Sequence, residues 1–321
     1  LLAVAACLAV LLLAGVVLAG PAVGTDTKFA APTGTPAALD GAVQPRVVDA
    51  ANTSNYLQPD ADVTVRSAVA RQDVDVGVAV AAGTESLDGN HERMTLEDRL
   101  DGAANQSARS AILQAAVERL AERTDRLRNT RLESMNAYHD GSLSARAYFQ
   151  RAARIDAAVD RAEADRGFLE SQFDGRTPSA GDSLTTLRYV EADLDTMAGP
   201  VTHRVQARHV GNVTPGATYV RVTDTGGFVH ATIADGVLIR EAQETNDWSR
   251  DGADEFNGGS GNLTGVLNRV GELYPWTFSH QFGSQSDFFG TSLYKIGVAH
   301  QQGELTVYLD GGTDDVFREV Q

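Results

Sequence analysis

The stretch "ATIADGVLIREA", Ala231 to Ala242, decides the architecture, because its apolar residues keep a two-residue period on both sides of the pair Asp235-Gly236. Asp-Gly between two alternating runs is the signature of a two-residue hairpin, whose primed turn needs residues that tolerate positive φ. The same short period recurs in "ATYVRVTD" (217–224), "SLYKIGVAH" (292–300) and "ELTVYLDGG" (304–312). These runs predict an antiparallel sheet of about five strands. One segment between them changes period: "NLTGVLNRVGELYPWTF" sets Leu263, Val266, Leu267, Val270 and Leu273 at helical spacing, with Asn262 as cap and Pro275 as stop. A helix covering one face of such a sheet defines an α+β domain, placed at residues 212–321.

Upstream the period is that of helices. Tyr148, Ala152, Ile155, Val159, Ala162, Leu169 and Phe173 recur in steps of three and four, a coiled-coil-like seam. Leu113, Val117, Leu120 and Leu127 repeat the spacing on an Arg/Glu-rich run. Between them "HDGSLS" breaks the pattern, with Ser144 as N-cap and Leu143 placed to staple against Tyr148, so two antiparallel helices joined by a tight turn are expected. A third helix, Ser183 to Met197, carries Leu184, Leu187, Val190 and Leu194 on one stripe and stops at Gly199-Pro200, beyond which Val201 to Val210 continues. The run "DVDVGVAVAAGTESLDGNHERM" fits both strand and helix and is assigned to helix, giving an all-α domain at 72–211. The fold class is therefore multidomain: an all-α antiparallel hairpin or three-helix bundle followed by an α+β domain.

Residues 1–23 carry no charge and are long enough to cross a bilayer, yet end in small residues like those of a secretory cleavage site. Signal peptide and uncleaved anchor both fit. Residues 24–71, rich in Thr, Ala, Pro and Gly, read as a flexible linker. Cys7, the single cysteine, lies inside the apolar run rather than at its end, which argues against lipidation and leaves the rest without disulfides. Four sequons, at Asn52, Asn105, Asn212 and Asn262, suit an extracellular or cell-surface location.

The net charge is −16, from 27 basic and 43 acidic residues, and only Lys28 and Lys295 are lysines. That composition resembles haloarchaeal proteins, in which acidity is an adaptation to molar salt. Nucleic acid is excluded as a partner, because phosphate binding needs a basic face. The closing segment "LYKIGVAHQQGELTVYLDGGTDDVFREVQ" is similar to the final hairpin of PepSY-type domains at Tyr294, Val298, Val307, Tyr308, Asp310, Gly311, Gly312 and Val316. Over most of its length the chain resembles uncharacterised secreted haloarchaeal proteins through "NTSNYL" (52–57), "GSLSARAYF" (141–149), "GPV" (199–201), "ATIADGVLIREA", "ELYPW" (272–276) and "YLDGGTDDVFREVQ" (308–321). The first resemblance implies peptidase regulation or surface binding; the second implies no activity.

No catalytic or cofactor fingerprint is present, neither nucleophile elbow, phosphate loop nor dinucleotide motif. The seven histidines, at 91, 139, 203, 209, 230, 280 and 300, lack the paired spacing of a zinc helix and read as surface or packing residues. "DWSRDGADEFNG" sets Asp247, Ser249, Asp251 and Gly252 as in a calcium loop, but Gly258 stands where the bidentate Glu belongs. Neither metal nor cofactor is expected. Tyr274, Trp276 and Phe278 form the aromatic concentration of the chain, either a partner-binding surface or the closure of the core. The sequence thus points to a non-enzymatic extracytoplasmic interaction module whose partner is an envelope protein or a peptidase, with a PepSY-like regulator or sensor as alternative and a hydrolase as a third reading. The only membrane contact expected is through the N-terminal apolar segment.

Overall fold

The computed structural model describes residues 56–57, 63–173, 180–244, 248–250, 253–256, 263–279, 282–287, 291–300 and 303–321. Among the described residues five helices precede the Asp-Gly hairpin: α1 (Val76–Asp101), α2 (Gln106–His139), α3 (Ala145–Gln172), α4 (Ala180–Met197) and α5 (Pro200–His209). Their starts follow from local chemistry. Asp75, Asn105 and Ser144 cap α1, α2 and α3, each side chain accepting from a backbone N–H three residues on, and Pro200 opens α5 at a position that needs no donor. The ambiguous run is thus helical, and Ser144 sits where the sequence placed it. The seam closes as expected: Leu113, Val117 and Leu120 of α2 pack with Ile155, Val159 and Leu169 of α3, and α4 covers them with Leu187, Val190 and Leu194.

Among the described residues eight strands form one antiparallel sheet: β1 (Thr64–Gln72), β2 (Gly216–Thr223), β3 (Phe228–Ala234), β4 (Val237–Gln243), β5 (Phe282–Asp287), β6 (Leu293–His300), β7 (Gly303–Asp310) and β8 (Asp315–Val320), in the order β1-β2-β3-β4-β8-β7-β6-β5. The hairpin turns at Asp235 and Gly236, both at positive φ. Two expectations need correction. The sheet exceeds five strands, because β1, β5 and β8 are added at its edges and centre. The linker assigned to 24–71 ends too late, because Thr64–Gln72 pairs along its length with β2. Its inward residues are Thr64, Arg66, Ala68, Ala70 and Gln72, of which only the two small alanines are apolar, too little to mark a strand, and its partner lies far downstream.

Helices cover one face of the sheet at β1–β3: Tyr138, Tyr148 and Phe149 pack on Val220, Val222 and Phe228. On the opposite face α6 (Leu263–Leu273) and a 3-10 turn at Pro275–Ser279 cover β6–β8, with Val266, Val270 and Tyr274 against Ile296, Leu305 and Val307. The described residues from Tyr56 to Gln321 make one compact unit. Among the described residues no helix is long and apolar enough to cross a membrane.

The two layers meet at a buried ion pair. Arg318 of β8, nearly fully buried, donates to the carbonyls of Asp195 and Thr196 at the end of α4, both at 2.9 Å, and stands 3.6 Å from Glu241 of β4. Glu241 accepts from the Val201 N–H at 2.5 Å and so caps α5, whose N-cap Gly199 has no side chain to do it. Gly199 is required by space: a Cβ there meets Arg318 at 2.4 Å and Glu241 at 2.5 Å. Gly83, inside α1, faces nothing within 4 Å.

Gly199→Ala is expected to destabilise the protein by about 2 kcal/mol or more, because it crowds a buried charge pair. Gly83→Ala should stabilise it by about 0.5–1 kcal/mol through helix propensity alone. Denaturant midpoints of the two variants check this, and equal shifts would contradict the packing described.

Candidate functional site

Polar side chains concentrate where the helices lie on β3 and β4. His230 of β3 and Tyr148 of α3 share a hydrogen bond of 2.9 Å within a cage that includes Phe149 and Phe228. Burial pushes the His230 pKa down to about 3, helped by Arg131 and Arg318, so its imidazole is neutral; burial likewise pushes the Tyr148 hydroxyl up. Arg131 of α2 donates to Gln243 of β4, and burial raises Glu241 although Arg318 opposes it. A cavity of about 20 Å³ lies between these groups, bordered by Asp156 and Thr202. That volume holds one water and no substrate.

At the outer end of the seam, Asp156 and Asp160 stand one turn apart on α3 and His203 faces them from α5. Asp156 is buried, Asp160 and His203 are exposed, and one ligand atom from each lies within 4.8 Å of the others. His203 Nδ1 and Asp156 Oδ2 are 3.3 Å apart. The Asp156 carboxylate raises the His203 pKa, and burial followed by repulsion from Asp156 raises that of Asp160. Histidine spacing does not reveal this trio, because two of its members are carboxylates and the third lies on another helix.

The aromatic candidates divide. Tyr274 is fully buried and its hydroxyl donates to Glu319 Oε2 at 2.6 Å, so it is closed to any partner. Trp276, half-buried, meets the Tyr274 ring edge-on at 6.5 Å and belongs to the core under α6. Phe278 lies in the 3-10 turn, and its side chain is outside the described residues. Glu319 has further work: it pairs with Arg240 and accepts from the N–H groups of Tyr56 and Leu57 at 3.1 and 3.2 Å, pinning part of the expected linker to the sheet.

Of the calcium-like loop, Asp247, Asp251, Gly252 and Gly258 lie outside the described residues. Ser249 gives its N–H to Asp310, whose carboxylate also accepts from Gly312, so this carboxylate organises the β7–β8 turn. Asn105 is exposed and caps α2, Asn212 is exposed in the turn after α5, and Asn52 and Asn262 lie outside the described residues. His209 and His230 are buried packing residues, the former sharing a hydrogen bond of 2.9 Å with the Asp73 carbonyl.

Two apolar surfaces remain open. On the sheet face opposite the helices, Val65 (52% exposed), Val69 (57%) and Ile233 (58%) are covered by no described element, and β1 is an edge strand. On α1, Val76, Val80, Leu87 and Met94 are exposed along one side of the helix.

These features define a class: a helical layer riveted to an antiparallel sheet, with a polar seam inside and an open apolar sheet face outside. The chain belongs to the family described as Domain of unknown function (DUF7096), whose model matches residues 2–214. A second model, Family of unknown function (DUF7094), matches residues 219–321. No curated protein and no solved structure matches the chain.

The unfolded chain protonates His230 near its ordinary value of 6.5, whereas the folded chain does so only near 3. Stability is therefore fully present above about pH 6.5 and is lost as pH falls from there toward 3. Denaturant unfolding at pH 7 and pH 5 is expected to show the wild type losing more stability than His230→Gln, by up to about 1.4 kcal/mol per pH unit. Equal losses would remove His230 as the cause.

Proposed function

We propose that the protein is a non-enzymatic, extracytoplasmic interaction module that docks an envelope protein. The observation that carries this is the open face that includes Val65, Val69 and Ile233 beside β1, the edge strand among the described residues. Exposed apolar surface next to an unpaired strand edge is costly in isolation, and natural sheets ordinarily blunt such edges. The partner that fits is an extended segment with apolar side chains, which would add a strand at β1 and cover the valines. The N-terminal apolar segment and the sequons support placement outside the membrane. A PepSY-like regulator would use a groove beside Trp276, and the edge-on packing of that ring against Tyr274 favours core closure there.

Cross-linking the tagged protein on cells in their native salt, followed by mass spectrometry, tests the reading. Cross-links are expected at β1, and Val69→Lys or Ile233→Lys should cut capture at least about tenfold with the melting temperature unchanged, since both sites are exposed. Capture that ignores both substitutions would sink the docking surface. The acidity makes a separate prediction: dilution from about 1 M to about 0.1 M salt should lower the melting temperature by unscreening carboxylates. An unchanged melting temperature would remove the halophile reading.

A further inference from the structure

The trio at the outer end of the seam does not behave as a finished ion pair. Asp156 is 3% exposed, yet its Oδ2 makes no hydrogen bond. His203 Nδ1 stands 3.3 Å from it, an ion-pair distance beyond the usual hydrogen-bond range and outside good hydrogen-bond alignment. A buried carboxylate oxygen left in that condition ordinarily costs several kcal/mol and calls for a partner. The separation itself indicates what the partner is. Two ligand atoms held about 2.0–2.1 Å from one metal ion at the tetrahedral angle stand about 3.3 Å apart.

We propose that Asp156, Asp160 and His203 form a binding site for a divalent transition-metal ion of the Zn²⁺ class. Asp156 supplies the buried ligand, fixed by the packing of α3 against α5. His203, 63% exposed at its side chain, supplies the imidazole, and Asp160 swings in from the next turn of α3 to complete three protein ligands. One imidazole with two carboxylates is a borderline donor set, better matched to Zn²⁺ than to the all-oxygen cages that calcium prefers. Because two of the ligands are exposed, an ion enters directly from solvent and retains at least one open position. The site joins α3 to α5, on the helical layer, and is independent of the docking face at β1.

The experiment is calorimetric titration of the full, metal-free chain with Zn²⁺, with thermal melts in the presence and absence of the ion. The expected result is one site per chain and a rise in melting temperature on loading. His203→Gln and Asp160→Asn should each weaken Zn²⁺ at least about tenfold and abolish the rise, each variant being read against its own metal-free melt. Two outcomes overturn the proposal: a wild type that takes up no Zn²⁺, which leaves a His–Asp ion pair only, or Zn²⁺ bound equally well by the wild type and His203→Gln, which places the ion elsewhere.

Discussion

The architecture depends on the Arg318–Glu241 pair. Each charge has left water, and each is offset by more than its partner: Arg318 by carbonyls at the end of α4, Glu241 by the Val201 N–H at the start of α5. A buried pair of this kind adds little net stability compared with apolar packing, but loss of either member strands the other in a low-dielectric interior. Its effect is therefore on specificity. The α4–α5 corner can sit in only one place on the sheet, and the orientation of α5 fixes the position of His203 and the wall of the seam.

The helices were legible because their signals are local. Ser144 three residues ahead of the N–H it caps, and a seam of Leu, Val and Ile at heptad-like steps, need no knowledge of the rest of the chain. The Asp235-Gly236 hairpin was legible for the same reason. What escaped is non-local. β1 has the composition of a linker, since its inward positions carry alanines, and becomes a strand only because β2 arrives from the far side of the helical layer to pair with it. Likewise Asp156 and Asp160 look like ordinary polar positions until α5 packs against α3 and sets an imidazole beside them. The aromatic cluster was legible as a cluster, but the sequence left open whether it faced inward; the Tyr274 hydroxyl, satisfied by a buried glutamate on β8, closes that question for one of its members.

The two family matches meet between residues 214 and 219, at the mouth of β2. Packing ignores that boundary. β1 lies in the first matched region and pairs with β2 in the second, while Tyr148 of the first bonds His230 of the second inside a shared aromatic cage. The pairing and the cage are long-range contacts closed over many intervening residues, so each carries a loop-closure cost that purely local helix contacts do not.

The clamp on Tyr56 and Leu57 has a mechanical meaning. Glu319 and Arg240, which hold that dipeptide, sit on β8 and β4, the two strands at the centre of the sheet, and Arg240 also exchanges both backbone hydrogen bonds with Gln321. A pull transmitted along the chain from ahead of Tyr56 is delivered first to this central clamp, before it reaches the edge strand β1. Tension is thus taken up by a buried charge cluster spanning two strands, and the zipper of β1 against β2 is shielded from being peeled open one hydrogen bond at a time.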